Sequence, residues 1–448
     1  MVIADQIAQP SPTREIAEWV ASGTPPPPVA LTWARHAILD WLGVTIAGAR
    51  EPLAAMLREE LAGGGPCTLL GCGARANAHH AALINGAAGH ALDYDDVSRE
   101  MYGHPTAPVA PALLALAEVT GATGAAVLEA LAVGIEVESA IGEMTRGGHY
   151  NLGFHATGTI GAFGAAAGCA RLLRLDSDAT ARALGLAASM AAGLKVNFGT
   201  MAKPFHAGTA AANGLLAARL AARGFTASPD AIEAPQGFLA TQGPDSVIEP
   251  VRPDAQAPWW VERTLFKYHA ACYSTHATIE AVNHLRRTHG IGLDDMAAIT
   301  LTVHPRHLKV CNIPEPETGL QMKFSLRQLA VAALDGLDTG ALETFSAANA
   351  CDARYAAARQ RVTVETDPGR DRMTARVAIA LTDGRRVEAE ADVGQPAADL
   401  NAQWDRLAAK FASVAAPVIG EVRAAEAITL VAGLDGAVGV APLMRTAR

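Results

Sequence analysis

Four short segments of this 448-residue chain combine lysine, histidine, acid and glycine in ways that a packed core does not require. The first is Gly89-His-Ala-Leu-Asp93-Tyr94-Asp95-Asp96, followed by Gly103-His104-Pro105. A carboxylate commonly orients a catalytic imidazole, so Asp93 and His104 form a natural pair, with Tyr94 beside them as a substrate contact. The second is Arg146-Gly-Gly-His149-Tyr-Asn-Leu-Gly-Phe-His155-Ala-Thr157, which leads into a helix of small residues. That places His155 near a helix N-terminus, where anions are favoured, with His149 close by. The third is Lys203-Pro-Phe-His206-Ala-Gly208. A lysine that is partly buried, or near a second cation, loses its proton near neutral pH and can act as a base. The fourth is Phe266-Lys267-Tyr-His-Ala-Ala-Cys272-Tyr-Ser-Thr-His276. Each segment also has a plain structural reading: an acidic turn capping a helix, a capping histidine, an exposed lysine ahead of a helix, a small buried thiol at Cys272.

Lysines and imidazoles bind carboxylates and exchange protons without help from a metal. A C–H next to a carboxylate is weakly acidic, and the carbanion it leaves needs positive charge nearby. The motifs of other chemistries are missing. There is no HExxH zinc pair and the histidines lack paired ligand spacing backed by carboxylates, so no metal is expected. There is no GxSxG serine elbow. The six cysteines, Cys67, Cys72, Cys169, Cys272, Cys311 and Cys351, form no CxxC and fit no iron–sulfur spacing. Gly158, Gly161, Gly164 and Gly168 match neither the dinucleotide nor the Walker pattern and read instead as one helix face made for close packing. No cofactor is implied. The net charge of −9, with no Lys/Arg run, argues against nucleic acid. Met1-Val-Ile-Ala-Asp5 does not resemble a signal peptide, and no stretch approaches about 18 uninterrupted apolar residues, so a cytoplasmic protein without a membrane span is expected.

These groups need a scaffold. A chain this long exceeds one compact core, and abundant alanine with 5% aromatics favours helices packed through small side chains. Helical spacing runs from Ala34 to Leu42, from Ala125 to Glu143, from Asp176 to Leu194 and from Ala210 to Arg223, where Gly224 ends it. Beyond residue 260 the period changes. Ala298–His304, Arg361–Thr366, Met373–Leu381 and Arg386–Asp392 alternate as strands, and Asp383-Gly384 marks a hairpin. Helical spacing returns from about Leu400. The fold class is mainly α with a second, smaller α+β domain. Residues 1–260, completed by 400–448, form the large helical domain, and residues 261–399 form an α+β lid domain. Lys267 and His276 would then face a cleft.

Taken in order, Ala91–Asp96, Gly103–Pro105, Gly153–His155, Lys203–Gly208, Gly224–Thr226, Phe266–His276 and Lys323–Ser325 resemble the MmgE/PrpD family across nearly the whole chain. The resemblance implies a homodimer, no metal or organic cofactor, and a small di- or tricarboxylic acid as substrate. Carried over residue by residue, it implies a site of Asp93, His104, His155, Lys203 and Lys267. His276, in the same motif, joins His149, His206 and Tyr94 as a substrate-binding candidate. Family activities include 2-methylcitrate dehydration, cis-aconitate decarboxylation and iminodisuccinate epimerisation. All of them move a proton at a carbon next to a carboxylate or a developing alkene. The family commonly carries a tyrosine two positions after Phe-Ser-Leu, where this chain has Gln328. With the compact length, that departure favours epimerisation of iminodisuccinate type, then a 2-methylcitrate dehydratase-like lyase, with cis-aconitate decarboxylation last. The sequence leaves open which of His104, His155, Lys203 and Lys267 is the base.

Overall fold

The computed structural model describes residues 11–248 and 257–448, so Met1–Asp5, read above for a leader, lies outside the described residues. The chain divides into two compact units: Met1–Thr264 with Ala415–Arg448, and Leu265–Val414. The first is helical and the second mixes helices with a small sheet, which is the expected fold class. Among the described residues no helix is long and apolar enough to cross a membrane.

The first unit is built around the helices Ala78–His90, Thr106–Thr120, Gly124–Met144, Ala156–Leu173 and Ala202–Ala221, which pack on one another. Local chemistry sets their starts. Asn77, Thr123 and Asp176 each accept a hydrogen bond from the backbone N–H three residues on. The glycines of Ala156–Leu173 do form a packing face. A Cβ on Gly161 would lie 2.5 Å from the Pro108 ring, and one on Gly168 would lie 2.9 Å from the Ala130 carbonyl oxygen. Gly208 makes a similarly close approach, where a Cβ would meet the Leu83 carbonyl oxygen at 2.2 Å and the Ala87 nitrogen at 2.8 Å.

Two helix bounds differ from the spacing, and both differences matter to the site. The helix expected from Ala210 begins eight residues earlier at Ala202, so Lys203 and His206 lie on its first turns. Pro204 did not prevent this, because a first-turn proline surrenders an N–H that has no helical partner. The helix expected to reach Leu194 stops at Met190. The chain then passes through Gly193 at φ +150°, a conformation open to glycine, and the Gly193 carbonyl accepts the His155 N–H at 3.0 Å.

The second unit carries a four-stranded sheet in the order Val362–Thr366, Met296–Val303, Thr374–Leu381, Arg386–Asp392. The first pair is parallel and the others antiparallel. The Asp383-Gly384 turn is present, with Gly384 at φ +89° and Asp383 accepting from the Arg385 N–H at 2.9 Å. The helices Tyr273–His289 and Leu326–Asp335 pack together, and the first lies against the two antiparallel strands of the hairpin.

Because Gly208 meets backbone rather than a movable side chain, Gly208→Ala must push the helix Ala202–Ala221 away from Ala78–His90. The expected loss is about 1–3 kcal/mol in urea unfolding. The same change at Gly121, which has nothing within 4 Å, should cost only its backbone strain.

Candidate active site

His90 is the last residue of the helix Ala78–His90, and the chain turns sharply after it. Asp93 takes φ +51°, a left-handed conformation that aspartate tolerates better than most side chains. This turn folds Asp95 back under the helix end. There its carboxylate faces His90 Nδ1 at 2.8 and 3.1 Å and His104 Nδ1 at 3.2 Å. His104 is held from the other side. The Ser98 N–H donates to the Gly103 carbonyl at 2.9 Å, closing the loop, and the His104 N–H donates to Thr157 Oγ1 at 3.1 Å. His104 Nε2 then lies 3.5 Å from Asp93 Oδ1, which accepts a hydrogen bond from Lys203 Nζ at 2.8 Å. The result is a connected chain of polar side chains: Lys203, Asp93, His104, Asp95, His90.

A second pair adjoins it. His155 occupies the N-cap position of the helix Ala156–Leu173 without using its side chain to cap. Its Nδ1 lies 3.1 Å from His206 Nδ1, so one ring donates to the other. The His155 ring stacks on His90 at 5.6 Å between centroids and meets the edge of Phe198 at 4.9 Å. Lys203 Nζ sits 5.3 Å over the same Phe198 ring, a cation–π contact.

The electrostatics sort these groups into roles. Burial alone would raise the Asp95 carboxyl, but the imidazoles of His104 and His90 outweigh it and hold it well below the usual range. Asp95 is therefore a carboxylate that orients two rings. Burial pushes His90 down to about 4, with Lys203 and His104 adding to the effect against Asp95. Burial, followed by His90, Lys203, His104 and His206, drives His155 well below its ordinary value. Burial also lowers His206. These shifts favour neutral imidazoles, which keep a lone pair but bind a proton more weakly than a free ring. Behind this layer Asp96 is pushed well up by burial and by Asp40, although Thr106 donates to it at 2.5 Å. Glu138 is pushed well up by burial and then by Asp96. Neutral carboxyls there add no negative charge behind the site.

One group among the described residues has the donors for a metal ion: His90, Asp93, Asp95 and His104 place one ligand atom each within 4.8 Å of one another. Two imidazoles with two carboxylates make a set that zinc accepts. The expectation of no metal rested on histidines without carboxylate support, and here the fold supplies that support. The same carboxylates are also engaged by the protein itself, Asp93 by the Lys203 ammonium and Asp95 by two imidazoles.

Of the residues singled out in the sequence, the fold brings Asp93, His104, His155, Lys203 and His206 together. His149 stands apart. Its Nε2 meets Thr159 Oγ1 at 2.6 Å, its Nδ1 meets the Gln242 carbonyl at 2.8 Å, and Phe154 stacks on its ring. Tyr94 turns into the core. Lys267 and His276 belong to the second unit, where both are buried. His90 and Asp95 were within the quoted motif but were not chosen, and Phe198 was not anticipated at all. The only signal for Asp95 was its spacing two residues beyond Asp93, which puts it on the opposite side of a turn.

The chain matches the model of the MmgE/PrpD N-terminal domain over residues 14–250 and that of the MmgE/PrpD C-terminal domain over residues 269–436. A cis-aconitate decarboxylase-like protein of Aspergillus oryzae is 30% identical over 64% of this chain and 64% of its own length. A cis-aconitate decarboxylase of Aspergillus terreus is 31% identical over 63% of this chain and 62% of its own. The match thus spans less than two thirds of either relative. A further cis-aconitate decarboxylase of Aspergillus terreus is 27% identical over 98% of this chain and 96% of its own length.

Burial holds His149 down to about 4 from 6.5, with the Gln242 carbonyl opposing. The unfolded chain therefore binds a proton that the folded one refuses between those values. The stability this gives is complete above about pH 6.5 and is lost as pH falls toward 4. In urea unfolding, His149→Gln should remove a share of that acid slope on the order of 3 kcal/mol. An unchanged slope would mean that the ring is protonated in the folded state.

Proposed function

The chain belongs to the MmgE/PrpD family, and from that premise we propose that it is a lyase acting on a small tricarboxylic acid, with decarboxylation of a cis-aconitate-like substrate as its reaction. The observation that carries this is the Lys203–Asp93–His104–Asp95–His90 chain with the His155–His206 pair beside it. Loss of CO2 leaves an electron pair on carbon. That pair spreads into the neighbouring alkene and carboxylates and is closed by one proton. Lys203 supplies positive charge for a carboxylate and for the developing carbanion. His104, oriented on both sides by Asp93 and Asp95, delivers the proton, and the neutral His155 ring beside it contacts the substrate. Lys267 and His276, in the second unit, are retained as proposed site residues, His276 as a further proton-transfer group.

Decarboxylation displaces epimerisation of iminodisuccinate type as the preferred reaction. The relatives above carry decarboxylase names, and the argument from Gln328 weakens once its surroundings are known. Gln328 is wholly buried, donates to the Asn349 carbonyl at 2.8 Å and accepts from Arg359. It ties the helix Leu326–Asp335 to Asn349 and Arg359. The homodimer implied by the family resemblance is retained as part of the proposal.

Incubation with cis-aconitate in heavy water should release CO2 and place one deuterium in each product molecule. Lys203→Ala and His104→Asn should each lower kcat/KM by about 10²–10⁴-fold. A rising alkene absorbance from 2-methylcitrate would point to dehydration instead. Deuterium at the α-carbon of iminodisuccinate, with loss of optical purity and no CO2, would point to epimerisation. Inertness toward all three would overturn the proposal.

A further inference from the structure

In the second unit, the helix Tyr273–His289 places Tyr273, His276 and Glu280 three and four residues apart, on one face. The segment that precedes the helix supplies Lys267, Tyr268 and His269. The edge of the His269 ring meets His276 at 4.9 Å between centroids, and Tyr273 lies 4.8 Å from His276 on the same helix face. The His276 Nε2 lies 3.3 Å from the Ala271 carbonyl, which can only accept, so Nε2 carries the proton and Nδ1 is left as the lone-pair nitrogen.

His269 is hydrogen-bonded at one ring nitrogen and faces a carboxylate with the other. Thr339 Oγ1 lies 2.7 Å from Nδ1, and Glu280 Oε1 faces Nε2 at 3.4 Å, an electrostatic contact rather than a directed hydrogen bond. Glu280 is anchored in turn. Arg406 Nη2 donates to its Oε1 at 2.8 Å, and the Arg406 guanidinium stacks 3.6 Å over the Tyr268 ring. Burial would raise the Glu280 carboxyl, but His269 and Arg406 reverse that and hold it far below the usual range. Glu280 is therefore a fixed negative charge. The groups acting on His276 are burial, His269 and Lys267, which favour its neutral form, and the Ala271 carbonyl and Glu280, which oppose them.

We propose that Glu280 and His269 are positioning residues for His276. The carboxylate, anchored by Arg406, orients the His269 ring, and that ring packs edge-on against His276 and keeps its Nε2 on the Ala271 carbonyl, the tautomer whose Nδ1 accepts a proton. This rests on the reading of His276 as a proton-transfer group in the proposed reaction. It adds to unit two the device that Asp95 provides in unit one, an imidazole set by a neighbouring ring and carboxylate.

The test uses the full chain with ¹⁵N-labelled histidine, with the His276 resonances assigned by their loss in His276→Gln. The wild type should show a neutral His276 with the proton on Nε2 at pH 7. Glu280→Gln and His269→Asn should each mix the two tautomers. In both, kcat should fall about tenfold with KM within twofold, and Glu280→Asp should recover part of the loss. A purely structural role would lower the melting temperature and KM performance together without changing the tautomer. A single Nε2–H tautomer retained in both variants, or an Nδ1–H tautomer in the wild type, overturns the proposal. If the wild type turns over no polycarboxylate, the proposed reaction falls, while the tautomer measurement still decides this one.

Discussion

The arrangement of the first unit depends on a buried carboxylate between two imidazoles. Asp95 is shut away from solvent, where an isolated charge would be untenable, and it stays ionised because His90 and His104 both face it. That mutual dependence fixes ring orientations that no single hydrogen bond could. With His104 held at Nδ1, its Nε2 must point to Asp93 and so to the Lys203 ammonium. With His90 held at the helix end, its ring face becomes the surface on which His155 stacks. Removing Asp95 would leave the buried His90 ring without its carboxylate partner.

Placing this chain of groups requires helices to approach unusually closely. Gly208 lets the lysine-bearing helix reach the backbone of the helix that ends in His90. The glycine face of Ala156–Leu173 does the same for the helix that begins beside His155. Small side chains therefore contribute to function indirectly. They bring backbones near enough that short polar side chains on three helix ends can meet. The neutral carboxyls of Asp96 and Glu138 fit the same logic, since a dry interior favours their protonated forms and spares the site a competing negative field.

The second unit repeats the device on a different scaffold. A helix face spaced by three and four residues carries Tyr273, His276 and Glu280, and a cation from a later helix, Arg406, locks the acid. Both units thus use a carboxylate that never needs to change protonation in order to set an imidazole that can. This economy suits the proposed decarboxylation, in which the protein itself moves only a proton.

Much of this was legible in the chain itself. Alternation and helical spacing determined the strands, the Asp383-Gly384 hairpin and the main helices, because each periodicity records which face a local element buries. Residue type and motif order picked out Asp93, His104, His155, Lys203 and His206. Only tertiary structure decided which of the candidates meet. Lys203 reaches Asp93 across 110 residues and His155 reaches His206 across 51, contacts made by helix packing and invisible to local pattern. It also placed His149 between Thr159 and Gln242, and Gln328 in a buried tie to Arg359. The hub at Asp95 lay in plain view among three acids. Its importance came from a turn through Asp93 at φ +51°, a backbone choice stabilised by the rings it brings together.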